Sequence, residues 1–96
     1  MASHSRRGYA WIADFEADGK LGSHIGCSVL PPPKGLAQLR HRLKAQTVGM
    51  RVLVPVQDMQ RAKDTSKRLA ESDGRAHRAM LTDDQGQRLI ARWKAC

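Results

Sequence analysis

Cysteine, aromatic side chains, acids and long apolar runs are all scarce in this chain of 96 residues, and each scarcity excludes something. The two cysteines, Cys27 within a predicted strand and Cys96 at the last position, do not make the framework of a disulfide-stapled secreted domain. Both are therefore expected to be free thiols. No stretch approaches the run of about 20 apolar residues that spans a bilayer. The opening Met1-Ala2-Ser3-His4-Ser5-Arg6-Arg7 has no hydrophobic core for export, so the expected address is cytoplasmic. A chain this short has room for one modest core and not two, which predicts a single domain over 1–96 with a flexible N-terminus over 1–6.

Acid is the most telling shortage. Only 9 Asp and Glu stand against 17 Lys and Arg, a formal net charge of +8. Such an excess attracts phosphates, and binding gains entropy from the counterions it releases. A polyanion is thus the expected partner, with docking onto an acidic protein surface as the other use of such charge.

Tyr9 to Phe15, the Asp18-Gly19 turn and Lys20 to Val29 predict a β-hairpin over 7–29. Pro31, Pro32 and Pro33 then forbid a continuing ladder. Leu36, Leu39 and Leu43 recur at helical spacing among Arg40, His41, Arg42 and Lys44, predicting a short basic helix over 35–47. Branched residues predict a strand over 49–56, with Pro55 placing it at an edge or bulge. The segment 57–72 suits either a helix or an irregular strand. Residues 79–94, with Asp83-Asp84-Gln85-Gly86 as the turn, read as a second hairpin.

A two-residue loop at Asp18-Gly19 sets Ala17 opposite Lys20, and counting back places Ile12 opposite Ile25, Ala10 opposite Cys27, Trp11 opposite Gly26 and Phe15 opposite Gly22. Alternation then puts Ala10, Ile12, Ile25 and Cys27 on one face. Tyr9, Trp11, Phe15 and His24 share the other. That second face holds three of the chain's four aromatic residues beside Arg6, Arg7 and Lys20. Rings among cations have the composition of a stacking platform for unpaired bases, at roughly 1 to 3 kcal/mol per base. The alternative is that these rings shield strand backbone inside a core.

Arg7-Gly8-Tyr9-Ala10-Trp11-Ile12 resembles the ribonucleoprotein motif of the cold-shock domain family, a basic residue, a glycine and alternating aromatic and small residues. The Asp18-Gly19 turn, the histidine of Ser23-His24-Ile25, and Gly49-Met50-Arg51-Val52-Leu53-Val54 as a later strand extend the likeness. It implies a β-rich α+β fold, a small OB-like antiparallel sheet or partial barrel with one or two helices, another small α+β sandwich being the alternative. No strand precedes Arg7 to open the barrel, so Leu89 to Lys94 is the candidate to complete it. By the same resemblance Tyr9 and Trp11 stack on bases, His24 adds a contact and Arg7 meets phosphate. Ala10, Gly22 and Asp14 depart from the pattern and are expected to weaken binding.

Other chemistry finds little support. His24 and Cys27, three apart in a strand, point to opposite faces and cannot share a metal, and no metal or cofactor is expected. His24 or His77 with a neighbouring cation would serve a small ribonuclease, but nothing brings them together, so the chain is not expected to be an enzyme. A helix-turn-helix around Ala70 and Gly74 fails because Asp73 and Arg75 occupy packing positions. The expected function is low-specificity binding of single-stranded RNA or DNA through Arg6, Arg7, Tyr9, Trp11, Phe15, Lys20 and His24. The alternative is a small inhibitor or adaptor of the kind mobile elements encode, docking its basic surface on a larger protein; no membrane is involved in either.

Overall fold

The first hairpin forms because the chain reverses on two residues that tolerate a left-handed backbone. In the computed structural model, which describes residues 6–29, 35–72 and 79–96, strands β1 (Gly8–Ala17) and β2 (Lys20–Ser28) flank Asp18 at φ 53° and Gly19 at φ 75°. Positive φ at both central residues makes a type I′ turn, whose twist matches the strands it joins. The register is the expected one, with Ala17 opposite Lys20, Phe15 opposite Gly22, Ile12 opposite Ile25, Trp11 opposite Gly26 and Ala10 opposite Cys27.

Strand β3 (Thr47–Val56) pairs antiparallel with the other side of β1, so the sheet order is β2-β1-β3. Among the described residues the sheet is open, with β2 and β3 at its edges, which is the antiparallel sheet of the expectation and not its partial barrel. Pro55, which lacks a donor, indeed lies on an edge strand. A bulge opposite Ile12 and Ala13 changes the partner from Val52 to Met50 and leaves Arg51 as the extra residue. The bulge reverses which side chains face which way: Val48 and Met50 join Trp11, while Val52, Val54 and Val56 join Ala10 and Ile12.

Three helices cover the sheet among the described residues, where one or two were expected. Helix α1 (Gly35–Leu43) lays Leu39 and Leu43 over Trp11, Ala13 and Phe15. Its end is a Schellman closure, with Lys44 N–H donating to the His41 carbonyl and Ala45 N–H to that of Arg40, around Lys44 at φ 53°. Helix α2 (Met59–Ser72) resolves the ambiguous segment. Asp58 accepts from Arg61 N–H at its start, and Ala62 and Ser66 are buried on one face.

Residues 79–94 were the expected second hairpin, and here the structure differs. Ala79 makes only an isolated bridge to Gly22, and Asp83–Lys94 is helix α3. Thr82 and Gln85 form a reciprocal capping box, in which each side chain accepts from the other's backbone N–H. Gly86, read from the sequence as a turn residue, is buried inside the helix, where a β-carbon would stand 3.2 Å from Arg51 Nη1. Its glycine makes room for a guanidinium, and the segment expected to complete a barrel is therefore a helix.

Helices α2 and α3 cover the aliphatic face, burying Ala10, Ile12, Val54 and Val56 against Ala62, Leu89 and Trp93. The Trp93 indole is fully buried and donates to Ser66 Oγ at 2.9 Å, and Ser66 in turn donates to the Ala62 carbonyl. The domain is thus a small α+β fold, an antiparallel sheet between one helix and two. No helix among the described residues is long and apolar enough to cross a membrane. Residues 1–5 of the N-terminal tail predicted over 1–6, the proline exit at 31–33, and His77 and Gly74 lie outside the described residues.

Candidate nucleic-acid interface

The residues expected to bind nucleic acid do not converge. Strand β1 has 10 residues, so at about 3.4 Å each its ends stand roughly 30 Å apart. Arg6 and Arg7 are exposed at one end and Lys20 is exposed at the other. Between them the rings are covered: Trp11 is 7% exposed and Phe15 is 8% exposed, both packed with Leu39 and Leu43 of α1. The reading of Trp11 and Phe15 as base-stacking residues is corrected accordingly. The leucine stripe of α1 needs an apolar surface, and the aromatic face of the sheet is the one it takes.

Trp11 also leans across Gly26 on the neighbouring strand, where a β-carbon would collide with the indole. Its Nε1–H donates to Ser28 Oγ at 3.2 Å. His24 is half-buried beside it, with ring centroids 5.5 Å apart and planes tilted by 38°. Tyr9 is the ring with open space next to it. Half-buried at the rim of the α1 layer, it lines a cleft of about 310 Å³ together with Arg7, Gly8, Val29, Pro55, Val56 and Gln57.

Charge draws attention to a different element. Between Asp18 and Asp58 the chain has no Asp or Glu, and this acid-free run supplies β2, α1 and β3. Helix α1 therefore turns Arg40, His41 and Arg42 to solvent, followed by exposed Lys44. Arg40 and Lys44 are four residues apart and line, with Ala37, His41 and Ala45, a shallow depression of about 590 Å³. Cations in a last turn complement the helix dipole by about 0.3 to 1 kcal/mol each, but like charges at this spacing repel by about 0.2 to 0.5 kcal/mol. Lys44 additionally holds a left-handed backbone that costs a non-glycine residue about 1 to 2 kcal/mol. An anion seated among them relieves the repulsion.

Helices α2 and α3 mix their charges. Arg61, Lys63, Lys67 and Arg68 share α2 with Asp64 and Glu71, and Arg88, Arg92 and Lys94 share α3 with Asp83 and Asp84. The α1 layer is where positive charge is uncompensated along the chain. Arg40, Arg42 and Lys44 belong to the helix predicted as basic and stood outside the expected binding residues, and the acid-free run around them is the signal that marks them out.

No protein-family model, curated protein or solved structure matches this chain.

Two further groups belong to the framework. Asp14, expected near the rings, faces the other way. It accepts from Arg51 Nε at 2.8 Å and from Ser23 Oγ at 2.7 Å, while Arg51 Nη2 donates to the Leu81 carbonyl at 2.9 Å and Leu81 N–H to Ser23 Oγ at 3.0 Å. This network ties the approach to α3 onto the sheet and engages the Asp14 carboxylate on the side away from α1.

Cys27 and Cys96 are free thiols, as expected, and Cys27 packs against the α2/α3 core, on the opposite face from His24. Burial pushes the Cys27 thiol above its ordinary value, with nearby Lys63 pulling it down and Cys96 pushing it up. A raised value means less thiolate, the reactive form, at any given pH. In a Cys96→Ser background, iodoacetamide labelling of Cys27 is expected to be still accelerating at pH 9.0, the ordinary thiol midpoint. Adding Lys63→Ala should slow it further; a rate already level below that pH would contradict the assignment.

Proposed function

We propose that this chain binds single-stranded RNA or DNA with little sequence preference, gripping the phosphate backbone with the α1 layer. Arg40, Arg42 and Lys44 supply the phosphate contacts, and the depression that Arg40 and Lys44 line takes the anion. Arg6 and Arg7 extend the positive surface, and Tyr9 offers its ring to one unpaired base in the cleft it lines. The observation that carries this reading is the absence of any acid between Asp18 and Asp58, which leaves the solvent side of α1 entirely to cations and neutral residues.

Within this proposal the likeness to the cold-shock family lies in the strand Arg7-Gly8-Tyr9-Ala10-Trp11-Ile12, of which Arg7 and Tyr9 keep their implied roles. Trp11 and Phe15 act instead as the support on which α1 rests. His24 contributes by bracing Trp11, and Lys20 adds positive charge at the end of β1 where Gln46, two residues past Lys44, donates to the Glu16 carbonyl.

The test is a titration of labelled single-stranded RNA and DNA, with duplex controls, at two salt concentrations. Affinity should fall steeply as salt rises, with a log–log slope of about −0.7 per phosphate contacted on a single strand. Single strands should bind more tightly than duplex because only they present a free base to Tyr9. No mobility shift at low salt would remove the proposal, and duplex preference would remove the part assigned to Tyr9.

A further inference from the structure

Strand β2 is an edge, bridged among the described residues at Gly22 by Ala79, and the hairpin register determines which of its remaining backbone groups face outward. Ala17 and Lys20 flank the two-residue turn and exchange hydrogen bonds, so the residues opposite each other alternate from there between bonded and non-bonded pairs. Gly22, His24 and Gly26 thus bond inward to β1, and Ile25 and Cys27 turn their N–H and C=O groups away from the sheet. A second observation lies beside them. The outward stretch borders a cleft of about 360 Å³, lined by Ile25, Gly26 and Cys27 on the strand side and by Lys63, Ser66, Lys67 and Ala70 of α2 on the other. Those four helix residues recur at the three- and four-residue spacing of one helix face.

An outward strand edge running beside a helix is a receptor for an extended segment, which adds to the sheet by main-chain hydrogen bonds and places alternate side chains in the groove. The lining says what chemistry that segment carries. Ile25, Cys27 and Ala70 give it an apolar wall, two lysines rise along the helix side, and no carboxylate among the described residues lines the cleft. Ser66 is already committed to Trp93 and Ala62, so it adds no new polar demand.

We infer that the cleft between β2 and α2 docks an extended acidic peptide of a partner protein, pairing its backbone with Ile25 and Cys27 and its carboxylates with Lys63 and Lys67. This surface lies on the α2 side of the sheet, across from α1, and is independent of the nucleic-acid reading. A chain with both would hold a nucleic acid on one side and a protein on the other.

A labelled six-residue peptide alternating Val and Glu is the probe, read by fluorescence anisotropy on the full chain. Binding is expected, with about a tenfold loss in the Lys63→Glu, Lys67→Glu double variant. The same peptide N-methylated on the amides that face β2 should lose binding too, because main-chain pairing is then impossible. Protection of Cys27 from iodoacetamide in the Cys96→Ser background, at saturating peptide, reports occupancy of the groove itself. Arg40→Glu with Lys44→Glu on α1 should leave peptide binding within about twofold at matched salt. No binding, binding indifferent to N-methylation, equal loss in the α1 variant, or Cys27 labelled at its free rate would each overturn the inference; so would a protein that dimerises through this cleft and excludes the peptide.

Discussion

Trp11→Ala should leave little folded protein, whereas Tyr9→Ala should leave the fold in place and weaken oligonucleotide binding about tenfold. The contrast follows from where each ring lies. Trp11 is buried under Leu39 and Leu43, fills the space above Gly26 and donates a hydrogen bond to Ser28. Removing such a side chain costs about 3 to 5 kcal/mol, a large part of the roughly 5 to 15 kcal/mol that holds a domain together. Tyr9 is half-buried with one side open to a cleft, so its truncation gives up less packing and one stacked base. Urea unfolding followed by circular dichroism, with anisotropy on whatever remains folded, measures both. A Trp11→Ala protein with wild-type stability that no longer binds oligonucleotide would show that the indole meets the ligand and that α1 does not cover it.

Reversing Arg40, Arg42 and Lys44 to Glu should weaken single-strand binding by about a hundredfold or more. Each exposed cation on a phosphate contributes up to about 1 kcal/mol, and its reversal adds repulsion. Three such losses come to about 3 kcal/mol, which is two decades in affinity. The salt slope should flatten by about two units as three contacts vanish. Reversal of Arg88, Arg92 and Lys94 on α3 changes net charge by the same amount on the other side of the sheet. It should cost far less. Equal losses in the two triple variants would mean that a diffuse positive field binds the ligand, with no interface on α1.

The hairpin was legible in the sequence because two short-range signals agree there, a turn dipeptide that demands positive φ and side chains that alternate with period two. The same alternation separated Tyr9, Trp11, Phe15 and His24 from Ala10, Ile12, Ile25 and Cys27. What it could not convey was which face meets water. The cover for the rings, Leu39 and Leu43, lies beyond three prolines, and pairing a helix stripe with a sheet face is a long-range choice.

The C-terminal segment shows the converse difficulty. Gly86 has a strong local reading as a turn, yet its environment is set by Arg51, which a β-bulge thirty-odd residues earlier in the chain sends across toward α3. The capping residues Thr82 and Gln85 were the local signal for a helix there, and they agree with the apolar spacing of Leu89 and Trp93. In α2 the buried residues are Ala62 and Ser66, small side chains that give hydrophobic periodicity little to register. The interface proposed on α1 has a signal of another kind, a stretch from which acids are missing.

Lys44 occupies the one position of α1 that glycine would hold without strain. Lys44→Gly is therefore a substitution with two opposite consequences, a firmer helix end and a poorer grip on phosphate. On the proposed reading, the lysine trades robustness of the scaffold for recognition, and a glycine placed there to stiffen the helix end would remove the proposed phosphate contact.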